Sequence, residues 1–194
     1  MKTLKVAAQK FDFLTHEELA KLIEAAAIEP TWHLAITLGA DAGLRAGELQ
    51  ALRWIDTDTK RGQLQVMQAN WRGLIGSPKG GKDRKIPTTA RLLETLKANR
   101  HLRGPYVLCR EDGALLTDTN FRAAIKRITK RAGLRLIGWH ALRHTFCSHL
   151  AMRGAPAKAI QDLAGHQSIA VTNRYMHLAP GALRSAIDLL EAQG

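Results

Sequence analysis

Histidine, arginine and tyrosine side chains suited to phosphate chemistry are concentrated between positions 138 and 176. His140 and Arg143 are three residues apart, so their side chains share one face of a predicted helix. His166 lies just past the predicted end of a second helix, and Tyr175 lies about two turns into a third. Together these residue types could hold a phosphodiester and attack it with a phenol oxygen.

A further arginine, Arg45, is predicted to lie at the junction of two helices. Gly43 interrupts an apolar helical stretch, and a new helix is expected to run through Glu48. A guanidinium beside apolar residues is costly to bury unless an anion pairs with it. Two interpretations are open: Glu48 is that anion, or Glu48 orients Arg45 and a phosphate accepts its hydrogen bonds.

Two lysines, Lys79 and Lys82, are predicted to lie at or beside the tip of a small antiparallel hairpin. Alternating polar and apolar residues, separated by turn residues, indicate strands over 63–68, 72–77 and 84–87, with a turn over 78–83. The turn is either a solvated basic loop or a mobile tip that delivers one ammonium group to a site formed elsewhere.

The rest of the chain is predicted to be mostly helical. Thr15 and Glu18 form a capping-box pattern at the start of the first helix, and Gly133 ends a long basic helix. Apolar spacing indicates helices over 32–42, 89–99, 120–132 and 182–190. The predicted fold class is α+β, mainly α-helical with a small three-stranded antiparallel sheet, in a single domain over residues 1–194.

The composition fits a folded protein without a membrane span. The 194 residues are 45% hydrophobic, which is enough to build a core. No run of about 18 apolar residues occurs, so no membrane-spanning helix is expected. The two cysteines, Cys109 and Cys147, form no Cys-x-x-Cys pattern and favour a reducing, cytoplasmic setting.

The formal net charge of +12 is unevenly distributed. A basic solvated surface normally contains interspersed acids, yet no Asp or Glu occurs between residues 119 and 161. This span therefore favours a nucleic acid as the partner. Its basic residues are Arg122, Lys126, Arg127, Lys130, Arg131, Arg135, Arg143, Arg153 and Lys158.

Metal and nucleotide chemistry have less support in the sequence. His140 and His144 have the spacing of two zinc ligands on a helix, but Ala141 stands where the metalloprotease motif has glutamate. Carboxylates are almost absent around the proposed site, and no glycine-rich nucleotide loop occurs. We therefore expect no metal ion, no cofactor and no small-molecule substrate.

A rival interpretation is a non-catalytic DNA-binding module. Residues 156–175 have the outline of a helix-turn-helix, with the turn at Gly165. A recognition helix would expose polar residues at its start, whereas this helix begins with Ile169, Ala170 and Val171, which we expect to pack. Such a module also has no use for a buried arginine at position 45.

The chain resembles the tyrosine recombinases, the phage-integrase family, in five motifs that occur in the same order. Any one of them is weakly specific, but the ordered set is strongly specific, and the similarity extends from about residue 14 to 187. The motifs are Gly43-Leu-Arg45-x-x-Glu48, Lys79, His140-x-x-Arg143-His144, Leu163-Ala-Gly-His166 and Arg174-Tyr175.

The resemblance implies a role for each matching residue. Arg45 and Arg143 would clamp the scissile phosphate, and Tyr175 would attack it to form a 3′-phosphotyrosyl link. His140 would assist proton transfer and hold the phosphate, and His166 would donate a further hydrogen bond.

The resemblance also implies the remaining parts of the reaction. Lys79, or Lys82 close by, would protonate the leaving 5′ oxygen, and Glu48 would be structural. The substrate would be double-stranded DNA, bound by several copies of the protein, with four as the expected number. Family members usually carry an N-terminal helical domain, which we expect this chain to lack. A type IB topoisomerase, with the same chemistry but no strand exchange, is the enzymatic alternative.

Overall fold

The computed structural model describes residues 12–78, 83–179, 181, 187, 188 and 190. Within these residues the fold is mainly helical with a small antiparallel sheet, which confirms the predicted fold class. The helices are α1 (His16–Ala26), α2 (Pro30–Ala42), α3 (Ala46–Ala51), α4 (Ala90–Ala98), α5 (Asp118–Arg131), α6 (Trp139–Met152), α7 (Ala157–Ala164) and α8 (Ile169–Met176). The strands are β1 (Thr57–Asp58), β2 (Gln63–Val66), β3 (Ala69–Trp71), β4 (Leu74–Gly76) and β5 (Arg84–Pro87).

Helix α1 begins with the predicted capping box. The Thr15 hydroxyl accepts a hydrogen bond from the Glu18 amide at 3.1 Å, and the Glu18 carboxylate accepts one from the Thr15 amide at 2.9 Å. These bonds pair two backbone donors that the first helical turn would leave without partners. The start of α1 is thus determined by residues three positions apart, which is why the sequence predicts it.

Helix α2 forms the centre of the fold. Residues 34–42 are all buried, as expected for a helix that is apolar on every side. The helix ends at Gly43, whose φ of +63° lies in the left-handed region that glycine adopts without strain. The Phe146 ring packs so closely against Gly43 that a Cβ atom there would lie 2.5 Å from it.

The sheet differs from the prediction in its strands. Its order is β1-β2-β5, all antiparallel, so the third strand is the two-residue segment 57–58 and not residues 72–77. Residues 69–76 instead form a separate hairpin of β3 and β4 that turns at Arg72 and Gly73. The alternating pattern correctly indicated strands in these regions, but it does not specify which strands pair with each other. Lys79 and Lys82 lie outside the described residues.

Helix α6 joins two hydrophobic clusters. Its first half packs on α2 in the main core, and its second half, from Phe146, packs with α7 and α8 in a smaller cluster that includes Tyr175. The residues needed for a phosphate site therefore lie where the two clusters meet.

No helix among the described residues is long and apolar enough to cross a membrane. Of the predicted tail helix, only Ile187, Asp188 and Leu190 are described.

We predict that Gly43→Ala destabilises the fold more than Gly133→Ala. Both glycines have φ near +64°, at +63° and +65°, so both substitutions incur backbone strain of about 1–2 kcal/mol. Only at Gly43 would the new methyl group also meet Phe146, which adds about 1–3 kcal/mol of overpacking. Urea unfolding of both variants measures the difference, and equal free energies of unfolding would contradict this packing argument.

Candidate active site

A buried carboxylate, Glu48, is shared by two arginines. Its Oε1 accepts hydrogen bonds from Arg45 Nη1 and Arg84 Nη1, both at 2.9 Å, and its Oε2 accepts one from Arg84 Nη2 at 2.8 Å. Oε2 also accepts the Arg45 backbone amide at 2.8 Å, which caps the start of α3. Burial alone would raise the pKa of Glu48, but Arg84 and Arg45 outweigh it and lower this pKa to about 2.

Both arginines also bind the end of α7. Arg84 Nε donates to the Leu163 carbonyl at 2.9 Å, and Arg45 Nη2 donates to the Gly165 carbonyl at 3.1 Å. Arg84 was not among the residues predicted for the site. Its burial could have been predicted from the sequence. Arg84 is two residues before Ile86, and side chains two apart in a strand lie on the same face, which here is the buried face of β5.

Arg143 is a buried cation, with 1% of its surface exposed. Its Nη1 donates to the Gly43 carbonyl at 2.7 Å. Its Nη2 is buried, and no acceptor among the described residues hydrogen-bonds with it. Burial and the nearby charge of Arg45 lower the pKa of Arg143 to about 10, so the group is charged at neutral pH at an energetic cost.

Two histidines lie beside these arginines. His166 Nδ1 is 2.8 Å from the buried Thr172 hydroxyl, and a hydroxyl that donates to Nδ1 puts the ring proton on Nε2. Burial, with the positive charges of Arg143 and Arg45, lowers the pKa of His166 to about 3. The same three causes lower the pKa of His140, which is exposed. Both rings are therefore neutral hydrogen-bonding groups at neutral pH.

Tyr175 is buried in the smaller cluster, with 2% of its surface exposed. Its hydroxyl is 2.6 Å from His144 Nδ1, and its ring lies parallel to His166 with centroids 6.1 Å apart. Burial, and after it the neighbouring Cys147, raises the pKa of Tyr175 above its ordinary value. His144 and Cys147 were not among the residues predicted for the site, although His144 has the spacing of a zinc ligand relative to His140.

The structure brings five of the six predicted site residues to one place. The five residues that lie where α2, α3, α6, α7 and α8 meet are Arg45, His140, Arg143, His166 and Tyr175. The charge of Arg143 shifts the pKa of His140, His166 and Tyr175, and the charge of Arg45 lowers the pKa of Arg143. The sixth, Lys79, lies outside the described residues. Among those residues, no three His, Cys, Asp or Glu side chains form a group suited to a metal ion.

The basic span contributes less unpaired charge than the sequence suggests. Acids from outside the span reach several of its cations: Glu29 pairs with Arg127 and Arg131, and Arg135 pairs with Asp12 and Glu18. The absence of acids within residues 119–161 therefore does not mean an absence of acids around them, because the fold supplies partners from α1 and its flanks.

The start of α8 does not pack as predicted. Ile169 and Val171 are 40% and 38% exposed, although Ser168 caps the helix as expected by accepting the Ala170 amide. The apolar character of this turn therefore does not argue against a surface role. The burial of Tyr175 and its contacts with α6 are what separate α8 from a simple recognition helix.

Comparison with known proteins identifies the family to which the chain belongs. The profile of the phage integrase family matches residues 12–181. A tyrosine recombinase XerC-like protein of Caldanaerobacter subterraneus subsp. tengcongensis is 28% identical over 212 residues, which cover 93% of this chain but only 54% of the relative. The chain therefore spans little more than half of that relative's length.

Two solved structures are also similar. A crystal structure of XerA recombinase is 26% identical with a TM-score of 0.74, covering 91% of this chain and 64% of that one. The second is XerH site-specific recombinase bound to palindromic difH substrate in a post-cleavage complex. It is 25% identical with a TM-score of 0.72, and the match covers 97% of this chain and 56% of the XerH chain. The chain belongs to the phage integrase family, as its motifs indicated.

We predict that Glu48→Gln destabilises the protein by about 3–5 kcal/mol at neutral pH, because two arginines lose a buried anionic partner. The pKa of Glu48 is lowered from 4.5 to about 2 in the folded protein, so its stabilisation is complete above about pH 4.5 and is lost as pH falls towards 2. Urea unfolding across this range should show the difference between wild type and variant shrinking at low pH.

The matched control is Asp162→Asn, which removes an exposed carboxylate that pairs with Lys158. This change should alter the free energy of unfolding by less than about 1 kcal/mol. If both substitutions have equal effects, Glu48 does not hold the site together.

Proposed function

We propose that this chain is the single catalytic domain of a site-specific tyrosine recombinase, which cleaves and rejoins DNA through Tyr175. Membership of the phage integrase family supports the class of reaction. The XerH complex is with difH substrate, and that likeness supports double-stranded DNA as the substrate here. Assembly of four copies on DNA and a cytoplasmic location stay predictions.

One observation carries the proposal: Arg143 is buried with Nη2 unpaired among the described residues, in a centre with surplus positive charge. Arg45, Arg84 and Arg143 supply three guanidinium groups there, whereas Glu48 supplies the carboxylate, and both of its oxygens are used by Arg45 and Arg84. A buried, unpaired cation is costly, and a bound phosphate oxygen would remove that cost. The centre is thus complementary to an anion.

The same charges suit a phosphoryl transfer. Negative charge grows on the non-bridging phosphate oxygens in the transition state, and each fixed donor removed from such a centre typically costs about 2.7–4 kcal/mol of barrier. Arg45 and Arg143 are the proposed clamp, and neutral His140 and His166 are proposed to donate hydrogen bonds to the phosphate. The chain's own guanidinium groups supply the positive charge that the reaction requires.

The nucleophile and the leaving group both need proton transfer. A phenol has an ordinary pKa of about 10, and burial raises that of Tyr175 further, so the group must lose its proton during attack. The attack makes a 3′-phosphotyrosyl link and releases a 5′ oxygen, which Lys79 is proposed to protonate. Because the link keeps the phosphodiester energy, rejoining needs no external energy source.

We predict that Tyr175→Phe abolishes the covalent protein–DNA adduct. The assay incubates the protein with a pool of nicked duplexes, which trap the cleaved state, and resolves adducts on a denaturing gel. The control is Tyr106→Phe, which changes the chain's other tyrosine and should leave the adduct intact. An adduct that survives in Tyr175→Phe would refute the assignment of the nucleophile. Relaxation of supercoiled plasmid without exchange between sites would indicate a topoisomerase.

We predict that Arg45→Lys slows adduct formation by about a hundredfold or more, with DNA affinity nearly unchanged. Lysine keeps the charge but cannot hold Glu48, the Gly165 carbonyl and a phosphate with one planar fork. Single-turnover cleavage and equilibrium DNA binding measure the two effects separately. Arg122→Lys, on the exposed face of α5, is the control, and an equal loss in both variants would contradict a clamp role for Arg45.

A further inference from the structure

The hydroxyl of Tyr175 has an acceptor already in place. His144 Nδ1 is 2.6 Å from the phenol oxygen, a short hydrogen bond, and the two rings lie 5.9 Å apart at 40°. His144 follows Arg143 directly on α6, so the phosphate clamp and this acceptor are fixed by the same rigid helix. The position of the acceptor is therefore determined by packing and not by a loop.

Two histidines one helical turn apart face different parts of the site. His140 and His144 contact each other edge to face, with ring centroids 4.5 Å apart. His140 is exposed, and the charges of both Arg143 and Arg45 lower its pKa, whereas of these two arginines only Arg143 acts on His144. His144 is half-buried and hydrogen-bonds with Tyr175. The pair thus divides into a phosphate-side ring and a nucleophile-side ring.

His144 is neutral in the folded protein, so it can accept a hydrogen bond from the neutral phenol. Burial, followed by His140 and Arg143 on its own helix, lowers the pKa of His144 to about 4, and Asp12 opposes this weakly from the segment before α1. Its neighbour on α8 is Tyr175. The ring is neutral at pH 7, so Nδ1 can accept the hydrogen bond that the phenol donates.

The second group in contact with the phenol oxygen is a poor proton acceptor. Cys147 hydrogen-bonds with Tyr175, but burial raises the pKa of this thiol to about 11, so it remains protonated. A protonated thiol has only a weak acceptor sulfur. Of these two neighbours, His144 is therefore the one that can take the phenol proton.

We propose that His144 is a catalytic residue that accepts the proton of Tyr175 during cleavage. As the phenol oxygen forms its bond to phosphorus, the bond from phosphorus to the 5′ oxygen breaks and the phenol proton moves to Nδ1 of His144. In rejoining, the 5′ hydroxyl attacks phosphorus and gives its proton back to the group that supplied it, proposed above to be Lys79, while the proton on Nδ1 of His144 returns to the departing phenol oxygen. The bound phosphate offsets the charge of Arg143, which favours the imidazolium form at that moment. This inference rests on the proposed function.

The test compares wild type with His144→Asn, whose amide oxygen can accept the phenol hydrogen bond but cannot take a proton at neutral pH. The substrate is a duplex whose scissile 5′ oxygen, mapped first from the wild-type adduct, is replaced by sulfur. A thiolate leaves without an acid, so the remaining pH dependence reports deprotonation of Tyr175. The single-turnover rate of adduct formation is measured from about pH 6 to 9.

Wild type should show a rate that changes little over this range, because His144 is already a neutral acceptor. His144→Asn should be at least about a hundredfold slower at pH 7 and gain about tenfold per pH unit, since hydroxide must then remove the proton. His144→Ala should be partly rescued by added imidazole. His16→Gln, an exposed histidine on α1, is the control and should match wild type.

Three results would overturn the inference: a His144→Asn profile parallel to wild type, cleavage faster than wild type, or no rescue of folded His144→Ala. Faster cleavage would mean that His144 only holds Tyr175 in its buried position. Thermal melting and DNA binding of each variant establish that it is folded. If wild type itself forms no adduct, the proposed function fails, and this outcome is distinct from failure of the role of His144.

Discussion

The site depends on one buried carboxylate. Glu48 joins Arg45 of the α2–α3 junction to Arg84 of β5, and both arginines also bind carbonyls at the end of α7. Without this anion, the guanidinium groups would repel each other in a medium of low dielectric constant, and the turn that carries His166 would lose its contacts with the sheet. The sheet therefore contributes to the site through a charge and not through a catalytic group of its described strands.

Features determined by neighbouring residues were predictable. The capping box of Thr15 and Glu18, the left-handed Gly43 and the helix end at Gly165 each require only a few adjacent positions. The spacing of His140 and Arg143 likewise needs only the period of a helix. Local hydrogen bonds satisfy the backbone the same way in any fold, so the sequence is enough to recognise them.

Features that depend on residues far apart in the sequence could not be predicted. Arg84 contacts groups 36 and 79 positions away, and although strand alternation places it on the buried face, no local pattern identifies Glu48 as its partner. The strand at 57–58 is two residues long and forms only because β2 lies beside it. His144 was visible in the motif, but its proposed role depends on α8 placing Tyr175 against it, and its spacing from His140 was considered only as a zinc-ligand pattern and rejected.

The described residues of the site carry more positive than negative charge, and this excess would link phosphate binding to the proposed chemistry. Arg143 is held charged although burial and Arg45 oppose its charge, and Tyr175 is held neutral by burial. An anion between them would stabilise Arg143 directly. It would also offset the charge of Arg143, which together with burial and His140 lowers the pKa of His144. A single bound phosphate would therefore favour the charged forms of Arg143 and His144, which is what the proposed attack by Tyr175 requires.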